Sequence, residues 1–292
     1  MNARREFLKN LGLISAGLAV TPSMELFAAK KEWFKISLAE WSLHKKIFKG
    51  DLKNIDFPEY TAKNFGIYGV EYVNQFFKDK VQDMTYLKDL KNRAKDNGVK
   101  NVLIMIDGEG NLGDADESKR LKAIENHHKW IDAANFLGCH AIRVNAAGTG
   151  TKDEVKQQVV KSLSSLAEYG KKGKISVIVE NHGGISSHGD WLSDVLKTVN
   201  HPNCGSLPDF GNFYEYDRYQ GVKDLMPYAK GVSAKAHFFD EQGYDTGIDY
   251  KKMMDIVKSS GYTGYIGIEF EGDKLSEDEG IKLSKALLEK FK

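Results

Sequence analysis

Eight short apolar or β-branched runs, each followed by a longer stretch of helical periodicity, constrain this chain more than any other feature. The runs cover residues 34–39, 69–73, 101–106, 141–144, 175–179, 205–208, 232–236 and 265–270, and Gly, Asn, Asp or Lys bounds all but the first of them. Between them, apolar residues recur at helical spacing. Val81, Met84, Leu87, Leu90 and Ala94 form one such series; Leu121, Ile124, His128, Ile131, Ala134 and Leu137 a second; Val155, Val159, Leu163, Leu166 and Tyr169 a third. Shorter helical patterns fit 58–65, 189–199, 218–229, 249–260 and 276–291, and Phe65-Gly66 and Asn97-Gly98 read as helix stops. Strands joined through helices run parallel, because a helical crossover returns the chain to the same end of the sheet. Eight such units in about 260 residues predict an α/β protein made of a single (β/α)8 TIM barrel, its parallel sheet closed and its helices outside. An open doubly wound sheet is the competing fold, but no Gly-x-Gly-x-x-Gly loop follows the first strand. No Pro- or Ser-rich linker marks an internal boundary.

The first residues read as an address. Arg4-Arg5 followed by Phe7-Leu8-Lys9 is the twin-arginine export pattern, and the apolar run 11–20 is too short for a stable membrane span. Ala28-Ala29 supplies a small-residue end. The expected division is an export signal over 1–29 and the barrel over 30–292. The expected location is the periplasm, either free or tethered by an uncleaved signal, with no stable membrane span in the mature form. Lys and Arg number 42 against 41 Asp and Glu, a net charge of +1, which leaves no electrostatic footprint for nucleic acid. Cys139 and Cys204 form no Cys-x-x-Cys pair and are expected to be two buried thiols.

In a barrel of this kind the reactive groups sit at the C-terminal ends of the strands. Those ends carry Glu40, Trp41 and His44; Glu71 and Asn74; Asp107 and Glu109; Arg143 and Asn145; Glu180, Asn181 and His182; Asp209 and Asn212; Lys235 and His237; Glu269 and Glu271. The last four strands are the most informative. Val-Ile-Val-Glu180 and Ile-Gly-Ile-Glu269 place a carboxylate at the end of a run that reads as fully buried, where an unpaired charge is very costly without a cation or a hydrogen-bond network. Glu180, Asp209, His237 and Glu269, from consecutive strands, form a hard oxygen-rich set with one nitrogen. Such a set suits one divalent metal ion: Mn, Mg, Zn or Co. Singly, a strand-end carboxylate is as readily a helix N-cap, and a lone strand histidine a hydrogen-bonded core residue.

The segments Val179-Glu180-Asn181-His182, His201-Pro202-Asn203, Asp209-Phe210-Gly211-Asn212, Lys235-Ala236-His237 and Gly261-Tyr262-x-Gly264-Tyr265-x-Gly267-x-Glu269 resemble the sugar phosphate isomerase/epimerase family of xylose isomerase-like barrels. The resemblance covers the second half of the chain well and the first half loosely. It implies a metal held by Glu180, Asp209, His237 and Glu269, with the two glutamates flanking a small carbohydrate substrate. Glu180 would remove the proton beside a carbonyl and Glu269 would return one, through an enediolate. His182 and Lys235 are candidates to steady the oxyanion, or to support the metal ligands. Arg143 would grip a substrate oxygen or pair with Glu180. Trp41 would serve as a platform for a sugar ring or as core. His44, Glu71, Asn145 and Asn212 complete the candidate substrate contacts.

Departures from the family narrow the expectation. Asn212 stands where ketose 3-epimerases carry a second histidine, Ile185-Ser186-Ser187 where they carry a further glutamate, and residues 238–243 contain no arginine. Simple epimerisation of a free ketose is therefore disfavoured. Lyase or dehydratase action on a keto-sugar or keto-glycoside would use the same first proton abstraction and is the alternative. A non-catalytic sugar-binding barrel is the reading from another class. An apurinic-site endonuclease, with its many zinc-binding histidines and basic groove, is disfavoured by the scattered histidines and the net charge of +1.

Overall fold

A computed structural model describes residues 32–292; the export pattern over 1–29 lies outside the described residues. Eight strands run in one parallel sheet: β1 Lys35–Ala39, β2 Gly69–Val73, β3 Lys100–Met105, β4 Ala141–Asn145, β5 Ser176–Glu180, β6 Cys204–Leu207, β7 Val232–Ala236 and β8 Tyr265–Phe270. Their order is β6-β5-β4-β3-β2-β1-β8-β7. Between β7 and β6 the sheet is joined only by the isolated parallel bridges Ser206↔Ala229 and Asp209↔Ser233, so the cylinder is nearly closed and has one lightly knit seam.

The helices are α1 His44–Lys49, α2 Phe57–Phe65, α3 Met84–Asp96, α4 Glu117–Leu137, α5 Lys152–Lys171, α6 Gly189–Val199, α7 Arg218–Leu225, α8 Tyr250–Ser259 and α9 Glu277–Glu289. The strands are mostly apolar because both faces are covered. Outward side chains pack under the helices, with Phe34, Leu87, Trp130, Leu163, Leu192 and Val257 in that layer. Inward ones, including Ala39, Val73, Leu103, Met105, Ile178 and Leu207, fill the barrel. Glu71 reaches into this interior. It fits because its neighbour at position 267 is glycine: a Cβ there would lie 2.5 Å from the Glu71 carboxylate.

Local chemistry sets the helix ends. Asp83 accepts the Thr85 and Tyr86 amides, so α3 begins at Met84, not at Val81 where the apolar series begins. The preceding 74–80 segment is a 3-10 turn broken at Phe77. The helix expected over 218–229 stops at Leu225 and continues only as a 3-10 turn containing Pro227. Thr151 with Glu154 and Ser276 with Glu279 form reciprocal caps on α5 and α9. Both thiols are free. Cys139 is buried as expected, whereas Cys204 is only partly so.

Candidate active site

Glu180 is the last residue of β5, Asp209 follows β6 by two residues, and Glu269 is the fifth residue of β8. All three are buried at the C-terminal mouth, and their ligand oxygens lie within 4.8 Å of one another. The backbone around Asp209 is held by a reciprocal pair: Asn181 Nδ2 donates to the Asp209 carbonyl at 3.0 Å, and the Asp209 amide donates to Asn181 Oδ1 at 2.8 Å. Asp209 Oδ1 also accepts the Gly211 and Asn212 amides, each at 2.8 Å.

Two cations face these carboxylates. Arg143 Nε lies 2.8 Å from Glu180 Oε2, although neither atom completes an aligned hydrogen bond. The same guanidinium donates through Nη1 to Asp107 Oδ1 at 2.7 Å. Lys235 Nζ donates to Glu271 Oε1 at 2.6 Å and stands 3.4 Å from Glu269 Oε1 and 3.8 Å from Asp209 Oδ2. Ser233 Oγ lies 2.7 Å from Asp209 Oδ2 and 2.9 Å from Glu269 Oε2. One hydroxyl proton can satisfy only one of those acceptors.

The charges are unevenly shared. Burial pushes the Glu180 carboxyl up to about 8, against the pull of Arg143 and with the push of Glu269 and Asp209. Burial likewise raises Asp209, opposed by Lys235 and reinforced by Glu269. Burial would raise Glu269 too, but Lys235, Arg143 and the Ser233 hydroxyl together hold it below the usual carboxylate range. Burial works against the Lys235 ammonium, and Asp209, Glu269, Glu180 and Glu271 more than compensate, keeping it charged.

Above the carboxylates opens a cavity of about 440 Å³, lined among others by Trp41, Asp107, Arg143, His182, Asn212 and Glu269. A larger groove of about 1010 Å³ lies on the outer wall between α7 and α8, but its charged lining residues are all exposed and none belongs to the buried cluster. The buried cluster opens, through Glu269, onto the smaller space.

Most of the residues expected from the sequence converge, and some do not. Glu269, Lys235, Arg143, Asn212, Trp41 and His182 reach the cavity. Asn212 Nδ2 donates to Glu180 Oε1 at 2.9 Å, and His182 sits exposed on the rim. Glu180 and Glu269 stand side by side, and of the two only Glu269 lines the cavity. His237 does not join the carboxylates. The strand ends at Ala236, whose partner is Phe270. Beyond it the His237 amide donates to Asp245 Oδ2 at 2.9 Å, in the loop that follows the strand.

His44 lies behind Trp41, stacked on it at 4.7 Å, with its Nδ1 2.7 Å from the Trp41 carbonyl. Glu71 is one layer deeper, where Ser37 Oγ donates to it at 2.6 Å and burial pushes its carboxyl up to about 7. Asn145 is turned to Asp107 Oδ1 at 2.7 Å and lines a separate cavity of about 110 Å³ beside Glu109 and His127. Ser233, Gln75 and Tyr214 were not foreseen, and Asp107 and Glu271 were noted only as strand-end acids. The latter two were findable, because each follows directly on an apolar strand. A serine inside a strand and a tyrosine in a loop carry no such signal.

A family model described as a xylose isomerase-like TIM barrel matches residues 60–291. No curated protein sequence matches the chain. Among solved structures, 3-keto-D-glucoside 4-epimerase from E. coli is 16% identical, with a TM-score of 0.69 over 88% of this chain and 99% of that one. A probable 3-DHS dehydratase from Bacillus anthracis is 17% identical, with a TM-score of 0.66 over 88% and 99%. The IOLI protein, solved with a bound zinc atom, is 15% identical, with a TM-score of 0.71 over 88% and 98%. At these identities the likeness is one of fold.

Proposed function

The chain belongs to the xylose isomerase-like TIM barrel family, and on that premise we propose that it is an isomerase or epimerase that moves a proton at the carbon beside a carbonyl of a sugar-like substrate. The observation that carries this reading is the convergence of three buried carboxylates, from β5, β6 and β8, on the floor of a cavity walled by Arg143, Lys235 and Trp41. Glu180, Asp209 and Glu269 suit a divalent cation. Their donors are hard oxygens, Glu180 Oε2 lacks an aligned donor, and the Ser233 hydroxyl is caught between two acceptors. One Mn, Mg, Zn or Co ion held by these three residues would polarise the substrate carbonyl and acidify the neighbouring C–H.

The chain's own groups divide the remaining work. Glu269 faces the cavity and is held ionised, so it is the group suited to take the proton. Glu180, which the sequence cast as that base, lies beneath, and as a ligand of the ion it would be held ionised. Arg143 and Lys235 offer N–H donors to an enediolate oxygen. Trp41, backed by Phe76 at 6.0 Å, offers a flat apolar wall to a sugar ring.

The test is deuterium uptake. Keto-sugars and keto-glycosides incubated in deuterium oxide with the ion-loaded protein are expected to exchange the hydrogen next to the carbonyl. Glu269→Gln is expected to slow that exchange by about a thousandfold or more, within the range of a lost general base. An unsaturated product would move the assignment to elimination, as in a dehydratase. Ligand binding without exchange across the panel would leave a sugar-binding barrel and defeat the enzymatic reading. Export by the twin-arginine route to the periplasm is part of the same proposal. Cell fractionation with the intact mass of the mature chain checks it.

A further inference from the structure

The place beside Glu180, Asp209 and Glu269 that the sequence reserved for an imidazole is filled by an ammonium. Lys235 stands directly opposite Glu269 in the β7–β8 ladder. Its Nζ lies 3.4 Å from Glu269 Oε1, 3.8 Å from Asp209 Oδ2 and 2.6 Å from Glu271 Oε1. The side chain is buried and has a slot made for it. A Cβ at position 211 would come within 2.8 Å of Lys235 Cγ, so glycine there leaves room for the stem. The Lys235 carbonyl is fixed from behind by the Tyr250 hydroxyl at 2.7 Å. An ammonium has three donors and no lone pair, so it cannot ligate a metal ion, and it repels one.

We propose that the Lys235 ammonium is the resident cation of this carboxylate cluster, and that a divalent ion binds there only by driving it away from Asp209 and Glu269, leaving it on Glu271 at the rim. The inference rests on reading Glu180, Asp209 and Glu269 as the cation site, and it adds that the chain carries its own competitor for that site. The unaltered protein then binds divalent ions weakly for a group of three buried carboxylates. Taking the positive charge away frees two of them.

Calorimetric titration of the chelator-stripped full chain with Mn²⁺ and Co²⁺ tests this for the unaltered protein, Lys235→Gln and Lys235→His, with circular dichroism confirming that each is folded. Both variants are expected to bind at least about a hundredfold more tightly, as removal of a unit charge this close to the ion implies. Affinity that is unchanged or weaker in both variants overturns the proposal. If the unaltered chain already binds tightly, the cation site stands and only the competition is lost. If none of the three binds an ion, both readings fall.

Should either variant not fold, the unaltered chain supplies a second measurement: reductive methylation of Lys235, followed by mass spectrometry. Added Mn²⁺ is expected to speed modification of Lys235 by expelling it from its slot. No change, or slower modification, overturns the proposal.

Discussion

Arg143 is the residue on which most of the mouth's polar order depends. One guanidinium, wholly inside the barrel, faces Glu180 at 2.8 Å and donates to Asp107 at 2.7 Å and to Asn145 at 3.2 Å. Arg143→Met would leave Glu180 and Asp107 without their nearest counter-charge. Removal of one partner of a buried ion pair costs about 3–5 kcal/mol, so a fall in Tm of roughly 10 °C is expected by calorimetry. Arg143→Lys keeps the charge but not the planar fork, and is expected to fall between the two. A Tm within a degree of the unaltered protein for Arg143→Met would show that the carboxylates are neutralised in some other way. The sequence offered this pairing as one of two roles for Arg143, and it did so because a charge inside a strand must meet its opposite.

Among the elements, the exits of β7 and β8 decide which side chains enter the site. Gly272 lies so close to the His237 carbonyl that an added Cβ would stand 2.0 Å from that oxygen. That oxygen belongs to backbone, so it cannot yield cheaply. Gly272→Ala is expected to cost about 1–3 kcal/mol, read as a lower denaturant midpoint at unchanged slope. That crossing also explains what the sequence could not reveal. The strands over 69–73, 232–236 and 265–270 are legible to the residue, because each is a short, mostly apolar run followed by a polar residue. Glu180, Asp209 and Glu269 were legible for the same reason, as acids at the ends of such runs. His237 follows the last strand residue, Ala236; its amide bonds to Asp245, and its ring is not among the ligand groups gathered within 4.8 Å. Lys235 was seen on the correct strand, but only distances could show its ammonium at the fourth corner of the cluster.

Over the whole molecule, buried carboxyls tie stability to pH. Burial pushes Glu40 up to about 8, against the Val73 amide and the Asn54 side chain that donate to it. In the unfolded chain the same group titrates near 4.5. The folded state therefore holds the proton more tightly, and this contribution is fully present below about pH 4.5 and is lost as pH rises through about 8. Thermal melts across that window are expected to show a descending component that disappears in Glu40→Gln. Identical slopes in the two proteins would assign the effect to other groups.

The lightly knit seam between β6 and β7 has its own consequence. Where hydrogen-bonded backbone is sparse, Ser233 and Lys235 reach from one side to Asp209 on the other. The groups proposed to do chemistry thus double as a clasp on the cylinder. Retuning their reactivity will also retune how firmly the ring stays shut, and a change of substrate at this mouth has to be made without undoing the fastening.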